Sequence, residues 1–581
     1  MTISFLNKSE TVTDFFVKKS FQTRFGTLFA TPGSNDKKNS MLTFVEFIER
    51  AIKRDWDLPA LSNYREAPMS YGQTGKMIKK IHRALAECGI AEEEKVVQVG
   101  RNNVNWAVTF LATTSYGTVS VPILQDFSIS DLENTINHSD AVLVFVSDYI
   151  FEKMDVAKFP NVRGFISLDD YRVLYSTGEK VNQAFANYKN DIDVNRENFA
   201  LKHIDHNRLA AISYTSGTSG HSKGVMLTHG NYATNVEFGT EVIPLKSGDR
   251  MVSLLPLAHA YGMAFEFLTE FSLGCHITFL GKIPSPQVLL QAFGEIKPGL
   301  VVVVPLIIEK IYKAKIKPAI SSGLPKFLLS VPGLRRIVYS KVRKELEEAF
   351  GGNFYEVIIG GAALNKEVES FLNRIGFRYT VGYGMTECAP IITYAPWDTA
   401  RKFSCGYPIR RCQVRIDSPD PANIEGEVLV KGTQVMKGYY KNPEATAATF
   451  DSEGWLKTGD TGTITADGYL TLKGRSKNMI LGASGQNIYP EEIEAQINNL
   501  PYVAESLVVE RGGKLHALIV PDKEKAEKDG LDREKILIEF EKNQKELNKL
   551  MPNYMAISKI ELQEEEFVKT PKKSIKRYLY N

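Results

Sequence analysis

The sequence is poor in cysteine. Its 581 residues include only five cysteines, an odd number, and no two of them have the C-x-x-C spacing that is typical of zinc cages. Small secreted proteins usually carry paired cysteines in a disulfide framework. These absences exclude a zinc cage and a disulfide scaffold, and they indicate reduced thiols in a cytoplasmic protein. The five residues are Cys88, Cys275, Cys388, Cys405 and Cys412.

Long hydrophobic runs are also absent. Residues 1–16 contain no apolar core of the length that a signal peptide needs. The most apolar stretch, residues 300–308, is interrupted by Pro305 and is far shorter than the roughly 20 residues that span a bilayer. We therefore expect a cytoplasmic protein, and any membrane contact must be peripheral, at the inner face.

The chain has little net charge of either sign. It contains 71 lysines and arginines against 68 aspartates and glutamates, a net charge of +3. A protein that binds nucleic acid normally carries a basic excess on one face. Nucleic acid is therefore excluded as an expected partner.

Short apolar runs alternate with helical patterns in the first part of the chain. Such alternation predicts parallel strands that are covered by helices. Ser130 and Glu133 have the spacing of a capping box at the start of a helix. We expect an α/β fold with a large N-terminal body of mixed sheets flanked by helices. The predicted elements are strands over residues 95–99, 119–124 and 141–146 and helices over residues 104–116 and 131–137.

The pattern changes near residue 438. Short strand patterns punctuated by glycine over residues 454–474 predict a small β lobe. Further on, Gly512-Gly513 predicts a hairpin, and the charged run 522–530 predicts a solvated loop. Residues 532–550 have the pattern of an amphipathic helix. The expected domains are the body over residues 1–473, a hinge linker over 474–478 and a small mobile α+β domain over 479–581.

Residues 214–224, with the sequence YTSGTSGHSKG, are the most informative segment for function. A predicted buried strand leads directly into hydroxyl side chains, three glycines and one lysine. Glycine lets several backbone N–H groups point to one place, hydroxyls add donors, and Lys223 adds positive charge. The segment predicts a cradle for a polyphosphate. Its spacing differs from that of a Walker A motif, which excludes a P-loop kinase or ATPase.

The same segment resembles the phosphate-binding signature of the adenylate-forming superfamily, which includes acyl-CoA synthetases, luciferases and adenylation domains. Four further motifs of that superfamily follow in its order, and any one of them alone would be weak evidence. Five motifs in order make a specific match. The four are GGAAL (360–364), GYGMTE (382–387), GWLKTGD (454–460) and GRSK (474–477).

The resemblance implies that ATP and Mg²⁺ bind to this chain. Glu387 would hold Mg²⁺ together with the hydroxyl of Thr218, because hard oxygen ligands suit that ion. Thr386 would contact the α-phosphate, and Lys223 would neutralise phosphate charge. By the same resemblance, the catalytic residues are Lys223, Thr386, Glu387 and Lys573.

The nucleoside would bind to the other motifs. The small residues 360–363 would let adenine lie against the backbone, and Tyr383 could stack on it. Asp460 resembles the aspartate that accepts hydrogen bonds from both ribose hydroxyls, with Arg475 as its partner. The complete set of implied nucleotide-binding residues is Thr215, Ser216, Gly217, Thr218, Ser219, Gly220, Lys223, Gly361, Ala362, Ala363, Gly382, Tyr383, Gly384, Met385, Thr386, Asp460 and Arg475.

The implied reaction has two steps. A substrate carboxylate attacks the α-phosphate of ATP and expels pyrophosphate, and the thiol of coenzyme A then displaces AMP from the acyl-adenylate. Alignment and charge neutralisation would supply the catalysis. Lys477 matches the hinge about which the C-terminal domain swings between the two steps. Residues 482–485 would then line the path of the thiol.

One motif departs from the family pattern. Family members usually end with a lysine that reaches the acyl and phosphate oxygens during adenylation. In the run KTPKKSIKR (569–577), Ser574 occupies the position of that lysine. Lys573 and Lys576 are the two candidates to replace it, and we favour the immediate neighbour, Lys573.

The acid that is activated is predicted from two segments. The run LLPLAHAYG (254–262) resembles the segment that lines the acyl pocket, with His259 in a positioning role near the carboxylate and Tyr261 and Gly360 beside it. The long stretch 304–351 resembles the corresponding region of long-chain fatty acyl-CoA synthetases and could wall a tunnel for an alkyl chain. We therefore expect a medium- or long-chain fatty acid as the substrate.

Several alternatives stay open at this point. The acyl group could pass to the thiol of a carrier protein instead of coenzyme A. Luciferase-like oxygenation and a non-catalytic fatty-acid or nucleotide-binding module are weaker interpretations, and Ser574 is the only feature that favours the second. The basic clusters Arg335-Arg336 and 341–344 could touch anionic lipid head groups, although a solvated helix face is the preferred explanation.

Overall fold

The structure, a computed structural model, describes residues 41–215, 223–281, 285–321, 323–331, 333–481, 486–570 and 575–580. The chain from Thr43 onward forms one compact unit, and that unit is described below. Its architecture is a large N-terminal body of mixed α/β sheets followed by a small C-terminal domain, as the sequence predicts.

The strands belong to several sheets rather than to one. In chain order they are β1 Pro59–Asn63, β2 Met69–Ser70, β3 Lys95–Val99, β4 Val119–Ile123, β5 Ala141–Val146, β6 Gly164–Ser167, β7 Val173–Ser176, β8 Leu209–Thr215, β9 Lys223–Thr228, β10 Arg250–Ser253, β11 His276–Phe279, β12 Val301–Val303, β13 Val357–Ile359, β14 Tyr379–Val381, β15 Tyr383–Gly384, β16 Ile391–Tyr394, β17 Tyr407–Pro408, β18 Cys412–Asp417, β19 Gly426–Gly432, β20 Gly438–Tyr439, β21 Leu456–Ile464, β22 Leu470–Arg475, β23 Ile480–Leu481, β24 Asn487–Ile488, β25 Val503–Arg511, β26 Lys514–Pro521 and β27 Ile557–Leu562.

The helices cover these sheets. In chain order they are α1 Phe44–Arg54, α2 Tyr71–Glu87, α3 Val104–Tyr116, α4 Ile129–His138, α5 Asp148–Phe151, α6 Glu179–Asn187, α7 His229–Val242, α8 Ala260–Met263, α9 Thr269–Leu273, α10 Pro286–Ile296, α11 Pro305–Ile311, α12 Lys317–Ser321, α13 Gly323–Ser330, α14 Arg335–Ala349, α15 Lys366–Ile375, α16 Pro443–Thr449, α17 Pro490–Ile497, α18 Lys523–Lys528 and α19 Arg533–Leu550. A π-helical turn, Ala264–Leu268, joins α8 to α9, and a second, Tyr312–Ile316, joins α11 to α12. None of the helices in the described part of the chain combines the length and the apolar character needed to cross a bilayer.

The largest described sheet has eight strands in the order β20-β9-β8-β4-β3-β5-β6-β7. Strand β3 pairs in parallel with both β4 and β5, which confirms the predicted β-α-β-α-β series. Every residue of β4 is buried, as expected for a parallel strand with both faces covered by helices. At the other edge, β8 and β9 pair antiparallel, so the sheet is mixed.

The cap of α4 differs from the prediction. The helix begins at Ile129, and the side chain of Ser128 accepts a hydrogen bond from the backbone N–H of Asp131 at 3.1 Å. Ser130 and Glu133 therefore do not form the capping box. The two serines lie two residues apart and each precedes an acidic residue by three positions, but only Ser128 has the extended backbone that a capping position requires.

Two boundaries beyond residue 400 also differ from expectation. The β lobe is a four-stranded antiparallel sheet, β18-β19-β21-β22, so it begins at Cys412, well before the predicted residues 454–474. The charged run 522–530 contains helix α18, which Asp522 caps and which buries Ala526 in the C-terminal core. The expectation of a loop was wrong, because one buried alanine and one cap are sufficient to stabilise a short charged helix against the domain.

The C-terminal domain follows the predicted pattern elsewhere. Strands β25 and β26 form a hairpin through Gly512 and Gly513, whose φ angles of 59° and 75° favour glycine. Helix α19 buries Ile536, Phe540 and Leu547 against this sheet's core, which confirms its amphipathic character.

Candidate active site

The predicted phosphate cradle lies between two paired strands. Strand β8 ends at Thr215, which is directly opposite Lys223 at the start of β9. Both residues of the prediction that are described, Thr215 and Lys223, therefore lie side by side. Ser216, Gly217, Thr218, Ser219 and Gly220 lie outside the described residues.

Two glycine-rich motifs meet at the carboxyl ends of parallel strands. Strands β12, β13 and β14 are parallel neighbours, so the residues that follow them are adjacent at one edge. Gly360 N–H donates to Val303 O at 3.2 Å, and Gly382 N–H donates to Ile359 O at 3.0 Å. Ligands of open α/β sheets bind at such edges. Beyond β13, Gly361, Ala362 and Ala363 are exposed, so their backbone is accessible.

A buried carboxylate joins three of the predicted motifs. Asp460 is buried, and its Oδ2 accepts a hydrogen bond from the Tyr383 hydroxyl at 2.6 Å. Its Oδ1 lies 2.8 Å from Nε of Arg475, because β21 and β22 pair Asp460 directly with Arg475. Burial raises the pKa of Asp460, whereas the charge of Arg475 opposes that shift. Residues far apart in sequence thus form one cluster.

A second cluster links Glu387 to Lys223 through a residue that the sequence did not indicate. The hydroxyl of Tyr439 donates to Oε1 of Glu387 at 2.9 Å. The ring of the same tyrosine lies 4.8 Å from Nζ of Lys223. Strand β20 pairs with β9 and so brings Tyr439 beside Lys223. Burial, followed by the charge of Glu387, raises the pKa of Tyr439, which keeps its hydroxyl protonated as a donor.

The two clusters are close enough to interact electrostatically. The charge of Glu387 contributes to the raised pKa of Asp460. Lys477 has a lowered pKa because it is desolvated and repelled by Arg475 and Lys223. The residue predicted as the hinge therefore lies beside the candidate nucleotide site, in a short turn after β22.

The remaining GYGMTE residues complete the same turn. Thr386 is buried, Met385 is partly buried and Gly384 is exposed. A Cβ atom on Gly384 would lie 2.2 Å from Pro390 O, so only glycine fits at that position. This close approach is a steric reason for glycine at position 384, and it does not depend on any ligand.

The C-terminal part of the prediction is described only in part. Residues 482–485, Lys573 and Ser574 lie outside the described residues. Lys576 is partly buried, and its neighbour Arg577 forms an ion pair with Glu494 inside the C-terminal domain. The choice between Lys573 and Lys576 stays a prediction.

The predicted acyl-pocket residues contact one another. The ring of Tyr261 lies on Gly360, where an added Cβ would come within 2.9 Å of Cζ. The Tyr261 hydroxyl donates to Ile358 O at 3.1 Å. His259 caps the short helix α8, and its Nδ1 accepts the N–H of Tyr261 at 3.3 Å, which leaves Nε2 to carry the proton of the neutral ring. His259 thus fixes the backbone of Tyr261, and its role near the substrate carboxylate stays a prediction.

Two side chains that the sequence analysis missed hold the loop before His259. Glu266 is fully buried in the π-helical turn, and its Oε2 accepts the N–H groups of Leu254 and Leu255 at 2.9 and 2.7 Å. From the other side, Asn102 donates to Leu255 O at 2.7 Å and accepts from the N–H of Leu257 at 2.9 Å. A lone carboxylate in the apolar run AYGMAFEFL (260–268) is the signal that could have identified Glu266.

Replacement of Glu266 should therefore affect binding of the acid more than binding of ATP. Burial raises the pKa of Glu266, so glutamine resembles its neutral form and keeps an acceptor for both N–H groups. We expect KM for the acid in Glu266→Gln to stay within about threefold of the parent value. Glu266→Leu should raise KM for the acid about tenfold or more with KM for ATP unchanged, since each unsatisfied buried donor costs about 1–3 kcal/mol.

Glu356 provides the matched control for this prediction. It is fully buried and accepts the N–H of Trp397 at 2.8 Å, but it precedes the amino end of β13, away from Gly360. Glu356→Leu should lower the free energy of unfolding without a change in KM for the acid. Equal KM values for the acid in Glu266→Leu and the parent enzyme would refute the positioning role.

A cavity of about 550 Å³ lies apart from these clusters. None of the predicted site residues in the described part of the chain lines it. Its walls come from the stretch 304–351, which was predicted to wall an alkyl tunnel, and from α15. The lining residues are Tyr312, Ile320, Ser321, Leu329, Tyr339, Glu367, Ser370, Phe371 and Arg374.

Two family sequence models match the chain. Residues 48–440 match the model described as AMP-binding enzyme, and residues 477–580 match the model described as AMP-binding enzyme C-terminal domain. The first model covers Lys223, Tyr383, Glu387 and Tyr439, whereas Asp460 and Arg475 lie between the two matched ranges.

Curated proteins and a solved structure are similar to the chain over most of its length. The chloroplastic long-chain-fatty-acid–[acyl-carrier-protein] ligase AEE15 of Arabidopsis thaliana is 26% identical, covering 80% of this chain and 74% of that protein. The long-chain-fatty-acid–CoA ligase FadD15 of Mycobacterium bovis is 27% identical, covering 75% and 74%. ATP-bound MatB from Rhodopseudomonas palustris superimposes with a TM-score of 0.72 at 22% identity, covering 93% and 98%, and so has the same fold.

Proposed function

Because the chain belongs to the AMP-binding enzyme family and is thus an adenylate-forming ligase, we propose that it activates a medium- or long-chain fatty acid with ATP and transfers the acyl group to coenzyme A. AMP and pyrophosphate are the other products. The observation that carries the proposal is the pair of adjoining clusters, Tyr383–Asp460–Arg475 and Lys223–Tyr439–Glu387. They combine a nucleoside-binding carboxylate with the charges that a triphosphate requires.

Each cluster has a separate task in the proposed first step. Asp460, held by Tyr383 and Arg475, accepts hydrogen bonds from the ribose hydroxyls and fixes the nucleoside. Lys223 and Thr386 hold the phosphates so that the substrate carboxylate approaches the α-phosphorus opposite the leaving pyrophosphate. The carboxylate of Glu387 suits Mg²⁺, which when bound neutralises charge on the phosphate oxygens. His259 and Tyr261 orient the acid next to Gly360.

The second step requires a thiol and a movement of the C-terminal domain. The thiol sulfur attacks the acyl carbon, the bond to the phosphate oxygen of AMP breaks, and the thiol loses its proton. We propose that residues 474–478 form the hinge, with Lys477 at its centre, and that residues 482–485 line the path of the thiol. The cytoplasm is the proposed location.

The finer substrate assignment is tested with a series of straight-chain acids. Purified protein receives ATP, Mg²⁺ and coenzyme A, and AMP, pyrophosphate and thioester are measured separately. We expect kcat/KM to rise about fourfold per added methylene until the acyl-binding site is filled, since each buried methylene contributes about 0.8 kcal/mol. A preference for acetate or an aromatic acid would contradict the proposal.

The same assay separates coenzyme A from the second candidate acceptor. One similar protein is named as an acyl-carrier-protein ligase, which specifically favours that alternative. Pyrophosphate without acyl-CoA, followed by acyl transfer to an added carrier protein, would replace coenzyme A as the acceptor. Pyrophosphate and acyl-CoA in equal amounts would support the proposal.

Lys573 is expected to serve the first step only. Lys573→Ala should lower acid-dependent pyrophosphate exchange more than tenfold, since a charge that contacts the reacting oxygens is lost. Thioester formation from supplied acyl-adenylate should be unchanged. Lys576→Ala is the matched control, with an effect below about threefold; the reverse ranking would assign the role to Lys576.

A further inference from the structure

Positive charge is concentrated in one part of an otherwise balanced chain. Residues 305–344 contain ten lysines and arginines and a single acidic residue, Glu309, whereas the whole protein has a net charge of +3. The remainder of the chain is therefore net negative. Such a concentration points to a surface that meets negative charge.

The same segment exposes large apolar side chains. Phe327 on α13 and Ile337 on α14 are each 64% exposed, and Leu334 between them is 37% exposed. Side chains of this kind are usually buried, and an exposed group of them marks an interaction surface. Helices α13 and α14 are consecutive and contact each other, so the three residues lie on one helical pair, α13–α14.

Helix α14 has an inner and an outer side. Val338 and Leu346 are buried on the inner side. On the outer side, a shallow groove of about 460 Å³ is lined by Arg336, Ile337, Ser340, Lys341 and Lys344. An apolar side chain thus lies among basic ones on the face turned to solvent.

The glutamates near this face offset little of its positive charge. Lys341 and Lys344 each lie 3.9 Å from a glutamate one turn further on, Glu345 and Glu348, and all four side chains are at least 63% exposed. Exposed pairs at that distance contribute little. Arg335 and Arg336 are exposed at the start of the helix, where no acidic residue precedes them on α14.

We propose that the outer face of α13–α14 docks on an anionic membrane surface. Phe327, Leu334 and Ile337 enter the head-group region, and Arg335, Arg336 and Lys341 contact lipid phosphates. Apolar side chains that alternate with long basic ones suit a lipid interface, because the apolar tips enter the bilayer while the charges stay at the phosphate level.

The position of the α13–α14 pair fits this role. Leu329 on α13 and Tyr339 on α14 line the cavity of about 550 Å³ on the inner side. The α13–α14 pair therefore lies between that cavity and the proposed membrane. The proposal concerns binding to a lipid surface and does not depend on the proposed function.

Vesicle sedimentation tests the proposal with the full chain. Two vesicle types are compared, phosphatidylcholine alone and phosphatidylcholine with about one third phosphatidylglycerol, at low and high salt. We expect at least tenfold tighter binding to the anionic vesicles, weakened by salt because exposed charges are screened. Absence of binding to anionic vesicles, or equal binding to both types, would overturn the proposal.

Variants then locate the surface. The double variant Phe327→Asp/Ile337→Asp and the double variant Arg335→Glu/Arg336→Glu should each bind anionic vesicles at least tenfold more weakly. Ile538→Asp is the matched control, because Ile538 on α19 is also 64% exposed. Each variant must show a thermal unfolding transition like that of the parent, which checks that it is folded. Parent-like binding by both double variants, or an equal loss in the control, would contradict the assignment.

Activity towards a water-soluble medium-chain acid such as octanoate separates this inference from the proposed function. All three variants should keep the activity of the parent, because the changed side chains are exposed and none of them belongs to the two clusters or lines the cavity of about 550 Å³. If the parent has no ligase activity, the vesicle results still decide whether the surface binds lipid.

Discussion

Glu387→Gln is expected to lower acid-dependent adenylate formation by about 100- to 1000-fold, the range for loss of one group that stabilises transition-state charge. Glutamine has the same shape, and its oxygen can still accept the hydrogen bond that Tyr439 donates at 2.9 Å. The variant therefore removes the charge and retains the local packing. Steady-state rates at several Mg²⁺ concentrations measure the effect, and we expect the dependence on Mg²⁺ to shift to higher concentration.

Two control variants separate charge from packing in this prediction. Tyr439→Phe removes the hydroxyl that orients Glu387 but leaves the ring against Lys223, so the loss should stay within about tenfold. Glu453→Gln changes an exposed glutamate of the β lobe and should have no effect. A Glu387→Gln enzyme within threefold of the parent would show that this carboxylate does not support the reaction.

Asp460→Asn is expected to raise KM for ATP by about 10- to 100-fold, with a smaller change in KM for the acid. Asp460 is buried and pairs with Arg475 at 2.8 Å, and breaking a buried pair leaves the remaining charge uncompensated. The cost is reduced because the side chain of Arg475 is partly exposed and can be solvated. Asparagine can still accept the Tyr383 hydroxyl, so the ring should stay in place.

Asp467→Asn is the control in the same lobe. Asp467 pairs with Arg401 on the surface, and its side chain is 56% exposed. Asp467→Asn should leave KM for ATP and KM for the acid unchanged. Equal increases in KM for ATP and for the acid in Asp460→Asn would indicate a general loss of structure and would contradict the ribose-binding role.

The parts of the fold that the sequence predicted are those with a strong local pattern. Strands β3, β4 and β5 are short, largely apolar runs separated by helices of ordinary length, a pattern that favours a parallel arrangement. Where two patterns compete, local rules were insufficient: Ser128 and Ser130 both precede an acidic residue by three positions, and the backbone of Ser128 decides the cap. Helix α18 was not predicted, because a single buried alanine in a charged run gives no periodic apolar pattern.

The residues of the candidate site fall into the same two groups: those that lie in a local motif and those that are placed by long-range contacts. Lys223, Glu387, Asp460 and Arg475, which the structure brings into the two clusters, were predicted because their motifs have a fixed order and spacing. Tyr439 was missed because it reaches Glu387 through the pairing of β20 with β9, a contact between distant parts of the chain. Asn102 and Glu266 were missed because they act on backbone groups of a loop, and that function has no motif. Long-range pairing is the information that a single sequence lacks.

Acid-dependent exchange of labelled pyrophosphate into ATP tests the central claim most directly, because it reports formation of the acyl-adenylate without any acceptor thiol. The account predicts exchange that requires Mg²⁺ and a fatty acid and that is lost in Glu387→Gln. Absence of exchange with every acid in the series, by a protein that is folded and binds ATP, would contradict it and favour a non-catalytic binding module.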